Sequence, residues 1–81
     1  MGILGRMRTL DELVAFDNYL WEKLGAEYGF QLERCWNEYK DEVKKNVTQM
    51  VSKQVARELK KQNHFFLLQA LKELDLLYAN E

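Results

Sequence analysis

Apolar residues recur every three or four positions along most of the chain, which is the spacing of one face of an α-helix. The pattern divides into three segments, residues 10–24, 30–63 and 64–78. The middle segment contains no proline and no glycine, so it is interpreted as one continuous helix. Its apolar stripe comprises Leu32, Trp36, Tyr39, Val43, Val47, Met50, Val51, Val55 and Leu59. The pattern therefore predicts an all-α fold, a three-helix arrangement with a long central helix.

Helix ends are marked by residues with capping preferences. Thr9 followed three residues later by Glu12 forms the pattern of a capping box, which predicts a helix start at Leu10. Gly25 is suited to end this helix, and residues 25–29 (GAEYG) are interpreted as the turn that reverses the chain. The long helix is expected to end at Asn63 or His64, because asparagine is the next best residue after glycine at the position following a helix.

The third predicted helix is apolar over more than half of its circumference, whereas a surface helix of a small bundle needs only about a third. Leaving two large side chains in water would forfeit about 1.5–3 kcal/mol each. We therefore expect this helix to be covered on two sides, in an oligomeric helical bundle that is most simply a homodimer. The residues expected at the oligomer interface are Phe65, Leu68, Leu71 and Leu76.

Length and composition indicate one small globular domain. The chain has 81 residues, 47% hydrophobic and 31% charged, so it has enough apolar side chains for a modest core. Residues 1–8 are interpreted as an N-terminal arm and residues 9–81 as a single helical domain. Cys35, the single cysteine, allows no internal disulfide, which favours a cytoplasmic or nuclear protein. Beside Trp36, it is expected to be a buried small apolar residue. No signal peptide or membrane span is expected.

Candidate chemistry is sparse. One histidine and one cysteine cannot supply a usual set of metal ligands, and the sequence has no GxSxG, Walker or GxGxxG motif. The carboxylates Glu38, Asp41 and Glu42 are interpreted as a solvated helix face, and His64 as a helix-terminal residue. We therefore expect no catalytic residue, no metal and no cofactor, and hence no enzymatic activity.

Charge is unevenly distributed although the formal net charge is only −1. Residues 40–61 carry seven Lys or Arg against three Asp or Glu, a local balance of +4. Four of these cations form a basic face at helical spacing: Lys53, Arg57, Lys60 and Lys61. Cations near a helix C-terminus complement the macrodipole, which is the simpler interpretation. The alternative is a docking surface for an acidic partner or a nucleic acid.

Aromatic residues concentrate around the first predicted turn. Trp21, Tyr28 and Trp36 form the centre of this aromatic end, and Trp and Tyr are residues that commonly contribute most to protein interfaces. The basic face and the aromatic end together suggest a protein that binds another macromolecule at two places.

These observations favour a small non-enzymatic protein-binding module, an adaptor or inhibitor that masks a surface of a larger protein. One alternative is a dimeric nucleic-acid-binding regulator that uses the basic face. Another is a structural subunit that only assembles with copies of itself.

Overall fold

The computed structural model describes residues 9–25 and 33–78, and within these residues the fold is all-α. A π-helical segment, Trp21–Gly25, directly follows the first helix. Val51 and Leu77 form an isolated β-bridge, and the described residues contain no longer strand. The helices are α1 (Leu10–Leu20), α2 (Trp36–Asn46), α3 (Lys53–Lys61) and α4 (Phe65–Glu73).

The start of α1 confirms the predicted capping box. The Thr9 side chain accepts a hydrogen bond from the Glu12 backbone amide at 3.2 Å, and the Glu12 carboxylate accepts one from the Thr9 amide at 3.1 Å. Two amides that a helix start leaves without a partner are satisfied in this way. The predicted N-terminal arm and most of the predicted 25–29 turn lie outside the described residues.

The long central helix predicted from the apolar stripe is wrong, because α2 and α3 are separate helices joined by residues 47–52. The Asn46 side chain donates to the Glu42 carbonyl at 2.8 Å, and Val47 has extended backbone angles. Ser52 then begins α3 by accepting a hydrogen bond from the Val55 amide at 3.2 Å. Asparagine and serine side chains stabilise helix ends because they offer backbone groups a local partner.

The ends of α3 and α4 share one capping motif. Asn63 has a left-handed backbone (φ 66°), and the His64 amide donates to the Leu59 carbonyl at 2.9 Å. Asp75 repeats the conformation (φ 58°), with the Leu76 amide donating to the Leu71 carbonyl at 2.8 Å. Both are Schellman motifs, in which asparagine or aspartate replaces the usual glycine. The predicted helix end at Asn63 is therefore confirmed.

The core forms where α4 packs against both α2 and α3, while α1 packs against α3. In α4, the side chains of Leu67, Ala70 and Leu71 are fully buried. The chain thus covers α4 on two sides by itself, which meets part of the burial requirement that had suggested an oligomer. The buried apolar residues are Leu13, Leu20, Leu24, Cys35, Tyr39, Val43, Val47, Val51, Ala56, Leu59, Leu67, Ala70 and Leu71.

An ion pair also joins α2 to α4, because Lys40 lies 3.0 Å from Glu73. A hydrogen bond from Gln69, and then the hydrogen bond from Lys40, lowers the pKa of Glu73.

None of the helices in residues 9–25 and 33–78 combines the length and apolar character needed to cross a bilayer.

Candidate binding groove and buried polar network

The four cations of the predicted basic face are all exposed, as expected from their spacing on α3. Helix-dipole complementarity explains two of them, because Lys60 and Lys61 occupy the last turn. Lys53 is the first residue of the same helix, where the partial positive charge of the helix N-terminus disfavours a cation. The first turn of α3 contains no acidic residue to offset this cost. The dipole therefore does not account for the whole basic face.

Three of these cations line a shallow groove of ≈ 220 Å³, which we call the basic groove. Lys53, Arg57 and Lys60 form its polar side. Its apolar side combines buried Ala56, half-buried Leu68 and the exposed ring of Tyr78. None of the described residues that line the groove is a carboxylate, so within the described part of the chain its cations adjoin an apolar surface.

Tyr78 reaches the basic groove because the chain returns from α4 towards the start of α3. The Val51 amide donates to the Leu76 carbonyl at 2.7 Å, and Val51 also forms the bridge with Leu77. These contacts place the Tyr78 ring beside Lys53, whose ammonium nitrogen lies 5.9 Å from the ring centroid. The distance is within the range of a cation–π contact. Tyr78 remains 50% exposed, so half of its surface is available to a ligand.

The cations of the basic groove form no ion pair with an acid in residues 9–25 or 33–78. Within the described part of the chain, no carboxylate lies within ion-pair distance of Arg57 or Lys60. Lys61 differs, because it pairs with Glu58 at 3.4 Å and does not line the groove. The basic groove is therefore lined by Lys53, Arg57 and Lys60 but not by Lys61, the fourth residue of the predicted basic face.

A second groove, of ≈ 230 Å³, lies between the π-helical segment and α2, but its charges are mixed. Lys45 approaches Glu42 at 4.0 Å within it, and Glu38 and Asp41 are exposed. This arrangement agrees with the interpretation of these carboxylates as a solvated face with local ion pairs. The lining residues are Lys23, Leu24, Glu38, Asp41, Glu42 and Lys45.

A buried polar network links three parts of the chain. Asp17 of α1 is only 1% exposed, and its carboxylate accepts a hydrogen bond from the Tyr39 hydroxyl of α2. Its second oxygen lies 2.6 Å from Nδ1 of His64, which precedes α4. A carboxylate oxygen accepts hydrogen bonds, so this contact is a hydrogen bond in the tautomer that carries its hydrogen on Nδ1. No buried side-chain nitrogen or oxygen among the described residues lacks a partner, so the network is fully satisfied.

The chemistry of this network suits structure better than catalysis. Burial, and then the negative charge and hydrogen bond of Asp17, raise the pKa of Tyr39 far above its ordinary value. A raised pKa opposes the loss of a proton, so the hydroxyl is a poor nucleophile or base at neutral pH. The network instead holds α1 and α2 to the α3–α4 connection through directional bonds.

Asp17 was not among the residues predicted from sequence, and His64 was predicted only to lie at a helix end. A detectable signal was present, since Asp17 lies four residues after Leu13 and three before Leu20 on the apolar stripe of α1. A carboxylate at such a position must find a partner, because burying an unpaired charge is very costly. The identity of the partners, Tyr39 and His64, depends on packing and could not be found from helical spacing.

Two of the aromatic residues predicted to form the aromatic end, Trp21 and Trp36, both contact Phe66, which was not among the predicted residues. Phe66 of α4 lies 5.5 Å from Trp21 and 6.2 Å from Trp36, measured between ring centroids, and Trp36 stacks on Tyr39 at 5.6 Å. Both tryptophans are half-buried in this cluster, while Phe66 is 42% exposed. The third predicted member, Tyr28, lies outside the described residues. A binding role for this cluster stays a prediction.

The four residues expected at an oligomer interface occupy different environments. Phe65 is 54% exposed, Leu68 and Leu76 are half-buried, and Leu71 is fully buried within the chain. Leu71 therefore stabilises the core of the single chain and presents no surface to a partner copy. The homodimer itself stays a prediction, with Phe65 as its most accessible side chain.

Cys35 is buried, as predicted from its neighbour Trp36. Burial, followed by the charge of Glu38, raises the pKa of its thiol and so disfavours the reactive thiolate. Among the residues that the structure describes, no group of three His, Cys, Asp or Glu side chains could hold a metal ion.

Comparison of the chain with protein-family models, with curated proteins and with solved structures finds no match.

Proposed function

We propose that this chain is a small non-enzymatic protein-binding module, an adaptor or inhibitor that masks a surface of a larger protein at the basic groove. One observation carries the proposal: three cations that have no carboxylate partner among the described residues line the same groove as an apolar wall made by Leu68 and Tyr78. Protein interfaces combine an apolar centre with a polar rim in this way. The cations would steer the partner and select its charge, and the apolar wall would hold it.

A protein partner is favoured over a nucleic acid by the charge of the chain as a whole. The formal net charge is −1, so the basic groove lies in a domain with no basic excess. Nucleic-acid-binding domains usually combine their contact surface with a strongly basic balance, because phosphate contacts dominate their affinity. The exposed Tyr78 ring gives the nucleic-acid alternative its specific support, since bases stack on such rings beside cations.

Photo-crosslinking at Tyr78 in cells of the native host tests the proposal. Replacing Tyr78 with a benzophenone amino acid places the reactive group in the groove, and the same replacement at Tyr19 is a matched control because that ring is also about half exposed. We expect a protein adduct from position 78 that is absent from position 19.

Two charge reversals provide the controls for this adduct. Lys60 and Lys44 are both exposed and both lie in the last turn of their helices, so Lys60→Glu and Lys44→Glu cost the same in helix-dipole energy. Lys60→Glu should remove the adduct and Lys44→Glu should preserve it. An adduct that a nuclease destroys would support the nucleic-acid alternative, and equal adducts from positions 78 and 19 would contradict a role for the groove.

A further inference from the structure

The basic groove also indicates which conformation its partner adopts. We infer that it recognises an acidic amphipathic α-helix of the partner protein, an inference that rests on the proposed function and adds the chemistry and shape of the ligand. The carboxylates of such a helix would face Lys53, Arg57 and Lys60, and its apolar side chains would cover Leu68 and Tyr78.

The spacing of the cations favours a helix over an extended segment. Along α3, Lys53 and Arg57 are four residues apart and Arg57 and Lys60 three, which corresponds to ~6 Å and ~4.5 Å along the axis. A partner helix lying alongside α3 presents carboxylates at the same two steps when they are four and three residues apart. An extended strand presents side chains on one face only at even steps of ~6.6 Å, so its spacing matches the shorter second step less closely.

The surrounding fold gives an extended ligand no further support. Strand addition needs an exposed sheet edge, and the described residues contain only the single bridge between Val51 and Leu77. A helix in a groove needs no backbone pairing and gains its affinity from apolar side chains packed against an apolar floor. Half-buried Leu68, buried Ala56 and half-exposed Tyr78 provide such a floor beside the cations.

The charge of the groove sets the sign of its ligand. Among the residues that the structure describes, no acid lines the groove, and Arg57 and Lys60 have no carboxylate partner. A basic or neutral helix would leave three like charges facing it, whereas an acidic helix pairs each of them. Opposite charges across an interface increase the association rate and exclude partners of the wrong sign.

Fluorescence anisotropy with synthetic peptides tests the inference on the full chain. The first peptide is a helix of about five turns, with glutamates four and three residues apart on one face and leucines beside them. The second has the same composition with the glutamates spread around the helix, and the third replaces the glutamates with glutamine. We expect the first peptide to bind at least about tenfold more tightly than either of the others. Raising the salt concentration should weaken this binding.

Two variants show whether the peptide occupies the basic groove. Lys60→Glu should weaken binding of the first peptide by about tenfold, and Lys44→Glu by less than about twofold, while both keep the helical circular dichroism of the unmodified chain. Equal binding of the first and second peptides would overturn the helix inference, and so would unequal binding that Lys60→Glu does not change.

The outcomes separate this inference from the proposed function. If no peptide binds but Tyr78 still crosslinks to a protein, the helix inference is wrong and the binding-module proposal stands. If single-stranded oligothymidylate binds and displaces the first peptide from the groove, both are wrong and the nucleic-acid alternative replaces them. Binding of the first peptide alone, lost in Lys60→Glu, supports both.

Discussion

Asp17 and His64 are 47 positions apart in the chain, and Oδ2 of Asp17 lies 2.6 Å from Nδ1 of His64 in the interior of the fold. Tyr39 donates to the other oxygen of the same carboxylate, so one buried acid joins α1, α2 and the start of α4. Buried polar networks of this kind are costly when a partner is missing and specify one arrangement of helices when complete. The network therefore fixes how the helices that form the basic groove sit against α1 and α2.

Removing parts of this network should destabilise the protein in a coupled manner. Tyr39→Phe removes a hydrogen bond to a charged group and should lower the free energy of unfolding by about 1.5–3 kcal/mol. Asp17→Ala leaves Tyr39 and His64 without their partner and should cost about 3–5 kcal/mol. Denaturant unfolding, followed by circular dichroism, measures both.

The double variant and an exposed control complete that test. The effects of Asp17→Ala and Tyr39→Phe should not add, because the two residues share one bond. Asp41→Ala, at an exposed position on α2, should change stability by less than about 0.5 kcal/mol. Additive effects, or equal losses from Asp17→Ala and Asp41→Ala, would show that the network is not formed in solution.

Stability should fall at alkaline pH because the folded state raises the pKa of Tyr39. Above pH ~10 the unfolded tyrosine loses its proton while the folded one keeps it, so the unfolded state binds fewer protons and gains stability as pH rises. The slope should approach about −1.4 kcal/mol per pH unit. The raised pKa of Cys35 adds a loss of the same sign, beginning near pH 9.

Substitutions separate these two contributions to the alkaline loss. Tyr39→Phe should remove the part that begins near pH 10, and Cys35→Ala the part that begins near pH 9. Chemical denaturation at several pH values between about 8 and 11 measures the slope for each variant. If Tyr39→Phe leaves the slope unchanged, the buried hydroxyl is not what retains its proton in the folded state.

One substitution distinguishes two separate helices, α2 and α3, from a single continuous helix, because it changes the free energy of unfolding in opposite directions in the two structures. Ser52 caps α3, so Ser52→Ala should lower the free energy of unfolding by about 1 kcal/mol. In one continuous helix the same residue would be an interior position, where alanine is better than serine by up to about 0.5 kcal/mol. Thermal unfolding decides between them, with Thr9→Ala at the capping box of α1 as a reference loss of similar size.

The apolar stripe and the helix ends could be predicted from sequence only in part. Thr9, Glu12 and Asn63 act through neighbours within a few residues, so their preferences determine their conformation. The break at residues 47–52 was hidden because Val47 and Val51 are both buried and continue the four-residue spacing through it. Hydrophobic periodicity indicates which residues face the core. Here the backbone leaves the helical conformation while the residues that face the core keep the same spacing.

The candidate binding groove could likewise be predicted from sequence only in part. The exposed cations of α3 were predictable because their spacing puts them on one helix face. The apolar wall was not, since Leu68 and Tyr78 reach the groove through the α3–α4 connection and the contacts of Val51 with Leu76 and Leu77. Such long-range contacts leave no trace in local spacing.

The expected homodimer stays a prediction, and the exposure of its predicted interface residues indicates which of them could contact a partner copy. Phe65 is 54% exposed, whereas Leu71 is fully buried, so we propose Phe65 as a central contact of the dimer. Light scattering after gel filtration at micromolar concentration should give a dimer mass, and Phe65→Ser should shift it to a monomer. Met50→Ser changes another exposed apolar residue and should leave the dimer intact. A monomer mass for the unmodified chain would contradict the proposal.

A nuclear magnetic resonance titration of the isotope-labelled chain with the acidic amphipathic peptide is the most direct test of the binding groove. We expect saturable shifts of the Ala56, Leu68 and Tyr78 amides, which belong to residues that line the groove. The Lys44 amide on α2 should shift little, and Lys60→Glu should abolish the response. Shifts that centre on Trp21 and Trp36, or that do not saturate, would contradict binding at the basic groove.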